Sequence, residues 1–255
     1  FNHMKIALLM FLSCITGLTL QAQKKKSGQP PLIDREIFFG DPEISGAQLS
    51  PNGKFMSFIK PYKGTRNIWV KKASEAFEAA KPVTADTLRP LGSYFWSRDS
   101  KYILYVQDKG GNENYHIYAV NPAEKLMEGM DVPTSRNLTN LSNVRAMIYS
   151  VPKSNPDLIY VGLNDRDASW HDLYEIRISN GEKKLLRKNE DRMVGWIFDH
   201  KDKLRLAMKS NPDGSTDLLR LDNNGFTKIY SSSILESYYP VNFHPDGQHI
   251  YMVTD

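Results

Sequence analysis

Cysteine is almost missing from this chain: Cys14 is the only one in 255 residues. It lies in an apolar run near the start. A chain cut after that run has no disulfide and no thiolate metal site, and is held by its core alone. There is no G-x-S-x-G turn for a nucleophilic serine, no glycine-rich phosphate loop and no dinucleotide fingerprint. The six histidines are spread through the chain, and no complete zinc motif stands out. One-sided charge is missing too. The formal net charge is +4, and Lys24, Lys25 and Lys26 supply much of it in one place, so nothing argues for a nucleic-acid partner. Helix-favouring runs are scarce. Residues 73–80, rich in Ala and Glu, form the strongest, and a helix is expected there. These absences leave no catalytic, cofactor-binding or metal-ligating residue to name, and no cofactor.

What the chain does have is a recurring phrase. Ser50-Pro51-Asn52-Gly53-Lys54 leads into Phe55-Met56-Ser57-Phe58-Ile59. Ser97-Arg98-Asp99-Ser100-Lys101 leads into Tyr102-Ile103-Leu104-Tyr105-Val106. His244-Pro245-Asp246-Gly247-Gln248 leads into His249-Ile250-Tyr251-Met252-Val253. Each is a tight polar turn feeding a short apolar or aromatic strand. Leu158 and Leu204 open comparable runs, which makes the spacing roughly 50 residues. Aromatic residues at 11% suit half-buried pleated surfaces. A blade with two apolar faces buries both only between neighbours, so this period points to an all-β fold of the β-propeller kind. About four to five blades of four-stranded antiparallel sheet are expected over residues 44–255. The last copy runs into the end of the chain, so the propeller is expected to be incomplete and the chain to be the front part of a longer protein.

The first residues read as an address. Met4-Lys5 is followed by an apolar stretch and then Leu20-Gln21-Ala22, the pattern of a cleaved secretory signal peptide. Residues 1–22 are then upstream sequence and signal, and the mature protein begins near Gln23, periplasmic or secreted. A second reading makes Leu12-Ser13-Cys14 a lipoprotein cleavage site, with the anchor on Cys14. Residues 23–43 form a lead segment, with a short helix expected around Ile33 and Ile37 and a stop at Gly40-Asp41-Pro42.

Several polar groups invite a chemical reading. Trp170-His171-Asp172 sets a histidine beside an aspartate, but neighbours on a strand face opposite ways and make no dyad. His200 and His244 precede strands, where polar residues serve turns. Asp165-Arg166-Asp167 is the densest charged loop and reads first as solvated.

Together the residues resemble a known family. Asp34-Arg35-Glu36-Ile37-Phe38, Ile44-Ser45-Gly46-Ala47-Gln48-Leu49-Ser50-Pro51-Asn52-Gly53-Lys54 and Asn67-Ile68-Trp69-Val70 look like the prolyl oligopeptidase family of serine peptidases. More narrowly, they resemble its acylaminoacyl-peptidase-like and dipeptidyl-peptidase-like bacterial members. The resemblance implies an N-terminal propeller that gates short peptides, followed by an α/β-hydrolase domain with a Ser-Asp-His triad. No triad position lies in this sequence, and this part alone is expected to be inactive. Glu190-Asp191 is an acidic pair, but its context does not match the acidic pair with which some relatives hold a peptide amino terminus. The implied partners are a peptide substrate and the chain's own hydrolase domain, and homo-oligomerisation stays open. The alternative is a TolB-like periplasmic propeller that binds proteins.

Overall fold

A computed structural model of the chain describes residues 32–40 and 42–255. The expected signal peptide, its cut before Gln23, the lipid alternative at Cys14, and Asp41 lie outside the described residues. The chain divides after Pro42. In the first part, α1 (Arg35–Phe39) is capped by Asp34, whose carboxylate accepts the Glu36 N–H at 3.0 Å. Gly40 ends it in an extended conformation, its N–H reaching the Glu36 carbonyl.

The second part is built of strands. Sheet one holds β1 (Ser45–Leu49), β2 (Phe55–Tyr62), β3 (Thr65–Lys72) and β4 (Lys81–Pro82). Sheet two holds β5 (Tyr94–Trp96), β6 (Ile103–Gln107), β7 (His116–Val120) and β8 (Ser135–Asn137). Sheet three holds β9 (Ala146–Ser150), β10 (Leu158–Asp167), β11 (Trp170–Arg177) and β12 (Lys183–Arg187). Sheet four holds β13 (Met193–Phe198), β14 (Leu204–Ser210), β15 (Thr216–Asp222) and β16 (Gly225–Ser232). Sheet five pairs β17 (Tyr238–Phe243) with β18 (Ile250–Thr254). All pairings are antiparallel and follow chain order, as in consecutive propeller blades.

Period-two alternation explains how the sheets stack. On β6, Ile103 faces a cluster shared with Ile59, Ile68 and Val70 of sheet one, whereas the adjacent Leu104 faces Ile159, Val161 and Ile176 of sheet three. On β14, Ala207 packs with Leu173 of sheet three, and its neighbour Leu206 packs with Tyr238 and Phe243 of sheet five. Each sheet interior is thus the shared property of two neighbours, and isolating one blade would expose both of its faces.

The turns pass hydrogen bonds along the series. Asn52 N–H donates to Ser100 Oγ, and Arg98 donates to the Val151 carbonyl. The N–H groups of Lys153 and Ser154 both reach Asp202 Oδ2, and His200 Nε2 lies 2.7 Å from the Phe243 carbonyl oxygen. The polar first turn of each of sheets one to four is tied in this way to the sheet that follows.

The helix expected over residues 73–80 is not there. Only a single 3-10 turn forms, at Phe77–Ala79. Two contacts outweigh helix propensity. Phe77 stacks on Phe58 with ring centroids 4.8 Å apart, and Lys71 Nζ takes the carbonyls of Lys72, Ala73 and Glu75, which a helix would need for itself. Among the described residues, no helix is long and apolar enough to cross a membrane.

Candidate functional site

The first strands of sheets three, four and five converge on a groove of about 360 Å³. Tyr149 and Ser150 come from β9, Val194 and Trp196 from β13, and Tyr239 and Asn242 from β17. These strands are short and irregular for a shared reason. Each pairs with its second strand through a register shift: at Tyr160/Val161, at Met193/Gly195 and at Pro240/Asn242. Such bulges add twist and turn side chains off the ladder, here toward the groove.

The wall is aromatic and mostly uncharged. Trp196 is 3% exposed, and its indole N–H is buried without an acceptor among the described residues. Tyr149 lies across Gly162, where a Cβ would come within 2.6 Å of its ring, so only glycine fits under it. Burial pushes the Tyr149 phenol up to about 12, which keeps it a neutral donor. Gly195 leaves Met208 open to the groove: a Cβ there would sit 3.7 Å from that side chain. The groove holds no nucleophile with a base beside it. It is a shaped passage or cradle with a few polar groups, suited to an uncharged chain such as a peptide backbone.

The residues singled out in the sequence fall elsewhere. His171 and Asp172 do part company on β11. Asp172 turns inward to take both Nε and Nη2 of Arg166 at 2.8 Å and the Asn189 N–H at 2.7 Å. Burial alone would raise its carboxyl, but Arg166 and the Asn189 N–H outweigh it and hold the group below the usual range. His171 goes the other way. Its Nε2 is buried without a partner, and burial, helped by Arg145, lowers its basicity and favours the neutral ring.

Asp165-Arg166-Asp167 is exposed, as expected, but it is the end of β10 and not a loop, and its side chains are tied down. Arg166 is spent on Asp172 and the Asn189 carbonyl, Asp165 accepts from Tyr174 Oη, and Asp167 accepts the Ser169 N–H. Glu190 and Asp191 are exposed in the turn before β13. His200 sits in the turn before β14, as expected, but its ring reaches the Phe243 carbonyl of the next sheet rather than its own turn. The groove itself was missed. Its strands carry no repeating phrase, and only their aromatic content marks them in the sequence.

No protein-family model matches the chain. It is 39% identical over 194 residues to dipeptidyl aminopeptidase BIII of Pseudoxanthomonas mexicana, a match covering 76% of this chain and 27% of that protein. It is 30% identical over 194 residues to dipeptidyl peptidase family member 6 of Caenorhabditis elegans, covering 76% and 26%. Among solved structures, prolyl oligopeptidase B from Galerina marginata superposes with a TM-score of 0.56 at 14% identity, over 88% of this chain and 33% of that one. A prolyl endopeptidase gives 0.53 at 14% identity, over 83% and 35%. These two show the fold. The chain spans about a quarter of the length of the curated relatives it matches. It is homologous to the propeller part of peptidases of the prolyl oligopeptidase family.

Proposed function

We propose that this chain is the propeller of a dipeptidyl-peptidase-like serine peptidase, and that its groove between β9, β13 and β17 gates short peptides on their way to an α/β-hydrolase domain. The observation that carries the reading is the 39% identity to a dipeptidyl aminopeptidase over 194 residues, confined to about a quarter of that enzyme. The groove supports it. An uncharged, aromatic wall with few fixed hydrogen bonds lets a peptide slide rather than stick. Export through a signal peptide cut before Gln23, into the periplasm or beyond, belongs to the same reading.

The test begins with the complete reading frame. A G-x-S-x-G turn with later Asp and His is expected downstream, together with hydrolysis of chromogenic dipeptide substrates. The 255-residue chain alone should not react with a fluorophosphonate probe. In the complete enzyme, Val194→Arg should narrow the groove. It should lower kcat/KM several-fold for longer peptides and leave dipeptide substrates unchanged. Probe labelling of a serine in this chain, or a reading frame that stops once the ring closes, would sink the proposal. The second outcome favours a binding propeller of the TolB kind.

A further inference from the structure

The repeated turn carries a substitution that changes its chemistry. In the first copy, Ser50 Oγ donates to Asn52 Oδ1 and accepts the Phe55 N–H. In the second, Ser97 Oγ donates to Asp99 Oδ1 and accepts the Tyr102 N–H. The backbone bonds match as well: Ser50 N–H to the Phe55 carbonyl at 2.9 Å, and Ser97 N–H to the Tyr102 carbonyl at 2.8 Å. The last copy keeps that backbone, with His244 N–H donating to the His249 carbonyl at 2.8 Å. Yet His244 stands in the serine position, and His249 stands where the other copies place the half-buried Phe55 and Tyr102. The hydroxyl that saturates the turn has been exchanged for two imidazoles.

Both imidazoles converge on one oxygen. Asp246 Oδ2 lies 3.0 Å from His244 Nδ1 and 2.6 Å from His249 Nδ1. Asp246 Oδ1 is occupied separately by the N–H groups of Gln248 and His249, which fixes the carboxylate plane and leaves Oδ2 to the histidines. His244 Nδ1 thus stands beside both the Asp246 N–H, at 3.2 Å, and Asp246 Oδ2, at 3.0 Å. In the tautomer in which Nδ1 accepts that N–H, its lone pair and the carboxylate oxygen face each other, a pairing that a cation between them relieves.

We propose that His244, Asp246 and His249 form a binding site for a divalent first-row cation, zinc above all. Their three ligand atoms lie within 4.8 Å of one another. Tetrahedral zinc with bonds of about 2.0 Å sets its ligand atoms about 3.3 Å apart, so small outward rotations of the side chains suffice. Two imidazoles and one carboxylate select zinc over magnesium or calcium, which want oxygen alone. The side chains are partly exposed, His249 to 80%, so ions enter freely and water completes the shell. Coordination moves the His249 proton from Nδ1 to Nε2 and frees the Asp246 N–H to solvent. The three residues flank the hairpin between β17 and β18, so the ion staples that hairpin shut.

Zinc alone, titrated calorimetrically into the untagged chain, tests this. One zinc per chain is expected, with a rise in melting temperature, because the ion binds only the folded turn. His249→Ala removes an exposed ring and leaves the core intact. It should weaken zinc at least about tenfold, as should His244→Ala, while His200→Ala should leave affinity unchanged. No binding at about 100 µM zinc, or equal affinity in His249→Ala and the parent, overturns the proposal.

Discussion

Arg166 and Asp172 show how a residue that looks functional in the sequence can be structural in the fold. The Asp172 side chain is 2% exposed, and its partner is the guanidinium of Arg166, held at 2.8 Å from each oxygen. Removing Arg166 leaves the buried Asp172 carboxylate with the Asn189 N–H and no countercharge, so Arg166→Ala should lower the urea midpoint at neutral pH. The pH dependence fixes the cause. The folded Asp172 carboxyl is held low, so its stabilisation is complete above the unfolded value of about 3.9 and is lost as pH falls through the folded one. The gap between parent and variant should therefore shrink in acid. An equal gap at neutral and strongly acidic pH would show that packing, not charge, holds the end of β10.

At the level of elements, legibility followed burial. The second and third strands of each blade are sandwiched, and their apolar runs announced them: β6 and β10 were readable because Ile103, Leu104, Ile159 and Val161 are fully enclosed. The outer strands were less so. The turn at residues 179–182 does lead the chain back into β12 at Leu185-Leu186, but in β8 Ser-Arg-Asn looks like loop, because an outer strand meets solvent and needs no alternation. Among the inner strands, the aromatic runs at residues 94–96, 194–198 and 239–243 do read as strands, whereas β9 carries no such run and is not legible. Sheet five adds a liability. Among the described residues β18 pairs with β17 alone, and Tyr239, Val241, Tyr251 and Val253 leave one face of the pair exposed. An apolar edge of this kind recruits other chains. The 255-residue chain should self-associate in sedimentation runs at tens of micromolar, and Val253→Lys should reduce that association. A clean monomer before substitution would show that this face is harmless.

For the second unit as a whole, the four core clusters set the order in which the structure opens. Sheets two, three and four each contribute to two clusters, one on either side. Sheets one and five each contribute to one cluster only, and the cluster that sheet five enters through Tyr238 and Phe243 is the smallest. In a fold whose blades contact only their neighbours, stability is a sum of blade and interface terms, and a blade with one interface opens first. Sub-global openings of this kind are read by amide exchange, in which a foldon's protection reports its own free energy of opening. Protection should therefore be lowest in β17 and β18 and highest in β6, β7, β10 and β11, whose amides are flanked by core on both sides. Zinc should raise protection in β17 and β18 selectively if the His244–Asp246–His249 turn binds it. Uniform protection across all five sheets would mean that the blades unfold as a single unit, and that the interfaces couple them more tightly than nearest-neighbour packing implies.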